Sequence, residues 1–467
     1  MFSKFLESRH DLCKELVNRL QDKYPYVSVL GKEIEGDNVV VTSRFTSIGD
    51  TREKQCGFVV KIYNGKCYSE YSFSDITSDT IDQIEQDIIQ KTKLSDELME
   101  NHVNGKIIPD EPLVKTFSRE REGREYSIEE IVNQLTEFKN QLHSKSEKVV
   151  QAVALYEYFE TSSFFISKNR DLRQNFPWML GLLYVVMREG TTMKMARKVE
   201  YGINLEEMLA KLSNDIDATV ELGEELLHAT MIEPGVYDII TNPSISGLIA
   251  HEAFGHGVEM DMFVKHRAKA RNYVNKPVAS SIVEMHDGAA ATFSVASYFF
   301  DDDGVEAHDT LIIKNGILQT GISDVISAMQ LGTEPTGNGR RESYKRKAYT
   351  RMTNTFFAPG KDKLEDMIKS IKHGYMLFET NNGMEDPKNW NIQCTAEYGR
   401  EIKDGKFTGK IVSPVVMSGY VPDLLMSISM ISDDFEVAGT GHCGKGHKEW
   451  VTVSDGGPCL KARCKLS

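Results

Sequence analysis

The segment Glu233-Pro234-Gly235-Val236-Tyr237-Asp238-Ile239-Ile240 divides the chain into two kinds of pattern. Ahead of it, Asn204 and Glu207 open a run carrying Leu205, Met208, Leu209, Leu212 and Ile216 at helical spacing, the arrangement of an N-cap with a carboxylate three residues on. The Pro-Gly step stops that periodicity, and V-Y-D-I-I begins a strand. The boundary falls here, with one domain over residues 1–230 and a second over 235–467. Further back, Ser127 and Glu130 form a second capping box ahead of Ile128, Ile131, Val132, Leu135, Phe138 and Leu142. Phe2, Phe5, Leu6, Leu12, Leu16 and Leu20 predict an amphipathic helix that stops at Tyr24-Pro25. Between these helices the spacing predicts strands over Tyr26 to Phe73, with a hairpin turn at Asn64-Gly65, then over Val149 to Ile166 and Leu182 to Tyr201. Beyond the boundary, Asn315-Gly316 and Asp404-Gly405 are hairpin turns, and Leu364 to Lys372 reads as a helix ending before Gly374 as its C′ residue. Helices and hairpins without a βαβ alternation give an α+β fold. Its N-terminal domain is mixed, with antiparallel sheet and helices, and its C-terminal domain is dominated by antiparallel sheet.

The chain has 467 residues, and its charge balance of 55 − 69 = −14 repels phosphate backbones and anionic lipid headgroups. General binding to nucleic acid or to a membrane surface is therefore not expected. Hydrophobic residues at 40%, charged residues at 27% and a mean hydropathy of −0.36 suit a folded soluble protein. The longest apolar stretch, Met179 to Met187, is too short for the ~20 residues of a membrane span. Residues 1–22 carry regular charges and no apolar core of a secretory signal, so a cytoplasmic location is expected. An odd seven cysteines without C-x-x-C spacing point to reduced thiols.

The strand after the boundary runs into Asn242-Pro243, an N-cap followed by proline at the first helical position, which predicts a helix bearing His251-Glu252-Ala253-Phe254-Gly255-His256. Two imidazoles to hold zinc and a carboxylate to take a proton from the water it activates are the residue types of a metal-dependent hydrolase. In H-E-x-x-H the histidines are four apart, about 40° around a helix, whereas five apart gives about 140°. A regular helix would point these two rings away from each other. Both reach one ion only if the helix carries a π-type bulge or unwinds at Gly255. On a regular helix the facing pair is instead Glu252 and His256, leaving His251 as a core histidine. Chance produces such a motif in roughly one chain in twenty of this composition, so spacing alone leaves both readings open.

A catalytic zinc set needs a third protein ligand. Cys443, within Gly439-Thr440-Gly441-His442-Cys443-Gly444-Lys445-Gly446-His447, offers a thiolate in a glycine-rich setting, while His442, His447, Glu259 and Asp261 compete for the role. Cys459 and Cys464 lack zinc-finger spacing and read as structural. Arg340 to Arg351, R-R-E-S-Y-K-R-K-A-Y-T-R, reads as a solvated loop or as a positive lip in which Arg340, Arg341 and Tyr344 bind a peptide's carboxylate or acidic side chains. Asp301-Asp302-Asp303-Gly304 lacks the spaced ligands of a calcium loop and reads as a turn between strands.

H-E-A-F-G-H with the following G-V-E-M-D, P-T-G-N-G-R-R-E-S-Y (Pro335 to Tyr344), R-M-T-N-T (Arg351 to Thr355) and C-G-K (Cys443 to Lys445) together resemble the TldD/PmbA family of metallopeptidases. The resemblance runs from about residue 120 to near the C-terminus. It implies zinc on His251, His256 and Cys443 with Glu252 catalytic, and a TldD-type subunit that pairs with a second copy or with a PmbA-type subunit. The expected function is a zinc-dependent peptidase cleaving flexible or unfolded peptides through a metal-activated water. A non-catalytic partner or binding subunit, or a zinc hydrolase of non-peptide amides, is the alternative.

Overall fold

Two long strands, Val149–Ser167 and Arg170–Glu189, pair antiparallel along nearly their whole length and form the spine of a nine-stranded sheet. The computed structural model describes residues 2–96, 106–446 and 448–467. The outer edge of the first long strand is shared, its early part by Asp37–Thr42 and its later part by Tyr26–Glu35. The second is shared likewise by Leu113–Ser118, which runs parallel to it, and Thr192–Gly202.

Separate helices cover the two halves of this sheet. Lys4–Gln21, capped by the Ser3 side chain on the Leu6 N–H, buries Leu6, Leu16 and Leu20 against Val27, Phe58 and Phe164. Ile128–Ser144 has the Ser127/Glu130 capping box, and Leu205–Leu227 is capped by Asn204. They bury Leu135, Phe138, Leu212 and Ile216 against Ala152, Leu183 and Val185. The segment Leu182 to Tyr201 is two strands rather than one, because the chain reverses at Gly190 with φ 59°. The Asn64-Gly65 hairpin is a four-residue loop, in which Asn64 Oδ1 accepts the N–H groups of Lys66 and Cys67.

Gly235–Thr241 lies between His373–Asp386, parallel to it, and Leu460–Leu466. With Asn391–Lys403 and Val415–Tyr420 these strands close into a small barrel. A second, six-stranded sheet ends in the pair Lys448–Gly457 and Glu436–Lys445. Asn315-Gly316 and Asp404-Gly405 are two-residue turns with both φ positive, as type I′ hairpins require. The helix at 364 ends at Lys369, earlier than its apolar spacing suggests. Gly374 is no helix cap but a barrel residue, where a Cβ would lie 2.0 Å from the Asp238 carbonyl oxygen. Among the described residues no helix is long and apolar enough to cross a membrane.

The Asp301–Gly304 turn has a structural task. Asp302 meets Lys32 at 3.2 Å and Asp303 meets Lys61, which also reaches Glu70 at 3.2 Å. Arg341 grips both oxygens of Glu70 at 3.2 Å. Burial works against the Glu70 carboxylate, but Arg341 and Lys61 outweigh it and hold the carboxyl down at about 2. A carboxyl whose pKa drops on folding, from about 4.3, stabilises fully above that pH and loses the contribution as pH falls toward 2. Glu70→Gln should therefore cost about 2–3 kcal/mol at pH 7, and about half of that difference should be gone at pH 3. Urea denaturation of both proteins across this range checks it; a difference that does not change with pH would exclude the ion pairs as its source.

Candidate metal centre

The barrel strand Gly235–Thr241 leads into Asn242, whose side chain accepts the Ile245 N–H at 3.0 Å and so starts the helix Pro243–Ala250. Ile245 to Ala250 are all buried. The fit is close: a Cβ at Gly247 would lie 2.3 Å from the Gly456 nitrogen. Beyond Ala250 the helix widens into a π-helical turn, His251–Gly255, in which the His256 N–H bonds to the His251 carbonyl. That extra residue per turn brings side chains five apart toward one face. The His251 and His256 rings meet edge to face with centroids 5.1 Å apart. Gly255, at φ −69°, needs no special backbone freedom. It is excluded from carrying a side chain by Met352, whose sulfur would lie 2.0 Å from a Cβ.

Cys443 reaches the histidines from Glu436–Lys445, with its Sγ 3.3 Å from His256 Nε2. One ligand atom from each of His251, His256 and Cys443 lies within 4.8 Å of the other two. Zinc–nitrogen bonds of about 2.0–2.1 Å and a zinc–sulfur bond of about 2.3 Å at tetrahedral angles separate N and S by about 3.6 Å. The donor set is spaced for such an ion. Behind each imidazole stands a carboxylate: Glu259 Oε2 is 3.5 Å from His256 Nδ1, and Asp455 Oδ2 is 3.9 Å from His251 Nδ1. Among the described residues His251 Nδ1 is buried without a hydrogen-bond partner.

The three groups set each other's charge. Burial alone would raise the Cys443 thiol, but the two imidazoles outweigh it and hold it well below its ordinary value. Burial likewise opposes a charged His251, yet the Cys443 sulfur lifts it to about 9, and the same sulfur with Glu259 holds His256 well above its ordinary value. Burial pushes Asp455 up to about 6, with His251 pulling the other way.

The other ligand candidates are engaged elsewhere. His442 turns to Glu53 at 2.8 Å, Lys445 holds Glu259 and Asp261 at 3.0 and 2.8 Å, and His447 lies outside the described residues. Glu252 is not part of the three-residue cluster and forms no hydrogen bond or ion pair among the described residues. It lies against Gly383, where a Cβ would approach Glu252 Cγ to 2.5 Å.

The cluster opens on a cleft of about 680 Å³, also lined by Glu252, Met262, Met384, Glu385, Trp450 and Asp455. Residues 380–386 of one wall continue a strand whose parallel partner ends opposite Leu377. In the other wall, Glu436–Lys445 pairs, among the described residues, only with Lys448–Gly457. Asp455 and Glu385 escaped the sequence reading because neither lies near the motif in the chain. Both Glu385 oxygens are buried without a hydrogen-bond partner among the described residues, and burial pushes its carboxyl well above the usual range.

The basic stretch divides: Lys345, Arg346 and Lys347 are exposed in a solvated loop, whereas the residues read as a positive lip are engaged within the protein. Arg340 donates to the Met352 and Thr452 carbonyls at 2.7 Å, Arg341 is buried on Glu70, and the Tyr344 ring covers Gly57. The two arginines are thus satisfied by partners of the protein itself, and Tyr344 is half-buried.

Two imidazoles and a cysteine sulfur within reach of one ion are a donor set that suits a metalloprotease, and comparison with known proteins agrees. Residues 234–463 match the C-terminal domain of PmbA/TldA metallopeptidases. A metalloprotease of Methanothermobacter thermautotrophicus is 30% identical over 68% of this chain and 69% of its own length. A zinc metalloprotease TldD homolog of Saccharolobus solfataricus is 26% identical over 72% and 75%. The fold is shared with TldE of Thermococcus kodakarensis, at TM-score 0.74 and 17% identity over 98% of this chain and all of that one. It is shared also with a candidate DNA gyrase modulator of Thermotoga maritima, at TM-score 0.77 and 15% identity over the same shares. The chain belongs to the TldD/PmbA family of metallopeptidases.

The packing at Gly255 makes a direct prediction. Gly255→Ala should destabilise the protein by about 1–3 kcal/mol through overpacking, and Met352→Ala in the same chain should recover part of that loss. Strictly additive losses in the double variant would show that the sulfur is not what excludes a side chain.

Proposed function

We propose that the chain is a zinc-dependent peptidase that cleaves flexible or unfolded peptide segments, with zinc on His251, His256 and Cys443 and Glu252 as the catalytic base. The observation that carries this reading is the π-helical turn, which turns histidines five apart toward one point together with a thiolate. Zinc bound there supplies Lewis acidity, favouring ionisation of water and polarising the scissile carbonyl. Glu252, which forms no hydrogen bond or ion pair among the described residues, takes the proton of the attacking water and passes it to the leaving amine. A purely structural site needs no such base, which speaks against a non-catalytic subunit. The strand edges bordering the cleft suit a substrate that adds its backbone as a further strand, and only an unfolded segment can offer one. Met384 and Trp450, 65% and 50% exposed, supply apolar contact to its side chains.

The wild-type chain should bind zinc one to one. His251→Ala, His256→Ala and Cys443→Ala should each lose most of it, while His442→Ala keeps it. Glu252→Gln should retain zinc and lose at least roughly a hundredfold in peptide cleavage, the lower end of a general base's contribution. Metal content and cleavage rates decide: zinc lost from Glu252→Gln but kept by His251→Ala would make Glu252 a ligand instead.

We infer further that the active form is paired, with a second copy of this chain or with a PmbA-type subunit. The likeness of the fold to TldE supports this, since both subunit types can be built on one architecture. Sedimentation with simultaneous activity measurement should find activity only in the paired species; a fully active monomer overturns the inference.

A further inference from the structure

Lys445, two residues beyond Cys443, has a side chain only 16% exposed. Its ammonium donates to Glu259 Oε2 at 3.0 Å, Asp261 Oδ1 at 2.8 Å and the Thr350 carbonyl at 3.0 Å. An ammonium has three donors, so none remains for a substrate. Glu259 is the meeting point of three cations or potential cations. Besides Lys445 it faces His256 Nδ1 at 3.5 Å and, through its other oxygen, Arg351 Nε at 3.6 Å. Arg351, 1% exposed, donates to the Cys443 carbonyl at 2.7 Å and to the Glu449 carbonyl. Contacts therefore run in a closed ring from Cys443 through Lys445, Glu259 and Arg351 back to Cys443, with His256 attached at Glu259.

The strand ladder leaves this work to side chains. The pairing of Glu436–Lys445 with Lys448–Gly457 slips between Ala438 and Gly441 and again between Cys443 and Lys445. Backbone register on either side of Cys443 is thus irregular, and it does not by itself fix where the thiol stands relative to a helix almost two hundred residues earlier.

We propose that Lys445 and Glu259 are positioning residues whose ion pair pins the Cys443 strand to the His256 turn, and so sets the affinity and geometry with which the His-His-Cys set takes a divalent metal. This rests on the assignment of those three residues as ligands. A merely structural ion pair would support the fold and leave the metal's coordination unchanged.

The test uses the full chain with cobalt(II) as the spectroscopic probe and zinc affinity from chelator competition. Wild type should give a thiolate-to-cobalt absorption band that Cys443→Ser abolishes. Lys445→Met and Glu259→Gln should each weaken zinc binding about 10- to 100-fold, as loss of outer partners of a metal ligand does, and shift the band. Because the two act as a unit, the double variant should lose about as much as the worse single one. If Cys443→Ser abolishes the band while both single variants bind zinc within twofold of wild type with an unshifted band, the positioning role is overturned and the ligand assignment stands. If Cys443→Ser leaves the band and affinity unchanged, the ligand assignment fails and this inference falls with it. Should Lys445→Met fail to fold, the near-isosteric Glu259→Gln decides by the same two readouts.

Discussion

Histidines five residues apart on one helix face a common point only where the helix takes an extra residue into a turn, and much of the C-terminal half is arranged around that widened turn. A π-helical turn is rarely stable unaided and is found mostly where neighbours hold it. Here the neighbours are specific. The preceding helix lies so close to the strand Lys448–Gly457 that Gly247 meets Gly456 backbone to backbone. Within the turn, Phe254 is fully buried with its ring 5.5 Å from that of Trp390, and Gly255 lies under Met352. The barrel supplies Trp390 and the entry strand, the second sheet supplies Gly456 and Cys443, and the segment ahead of its strand Asn354–Phe357 supplies Met352. The two sheets are coupled through one turn of helix.

What could be read from the chain follows the range of the chemistry. The Ser127/Glu130 capping box, the Asn204 and Asn242 caps and the two type I′ hairpins were legible because each is decided within four residues. The H-E-x-x-x-H spacing was legible as a conflict between residue type and helical geometry, and the π-helical turn resolves it. Gly374 was misread because helical spacing ahead of it suggested a cap, whereas the residue answers to Asp238 on a parallel neighbour. Arg341 was misread for the same reason: its partner Glu70 lies 271 residues away, and a basic run looks solvated until that partner is known. Asp455 behind His251 and the unpaired Glu385 had no local signal at all, since only the folded sheets bring them to the motif.

The electrostatics of the cluster bear on how a metal would enter it. Cys443 and the two imidazoles favour each other's charged forms despite burial. Under the proposed assignment, protons and zinc would compete for the same donor atoms, so metal affinity would depend on pH. Access is one-sided. The His256 side chain is 21% exposed and that of His251 only 7%, with Glu259 and Asp455 closing the space behind them. The three-residue cluster lines the cleft together with Glu252. The carboxylates near the motif thus differ by their neighbours: Glu259 meets Lys445 and Arg351, whereas Glu252 lines the cleft and forms no ion pair among the described residues.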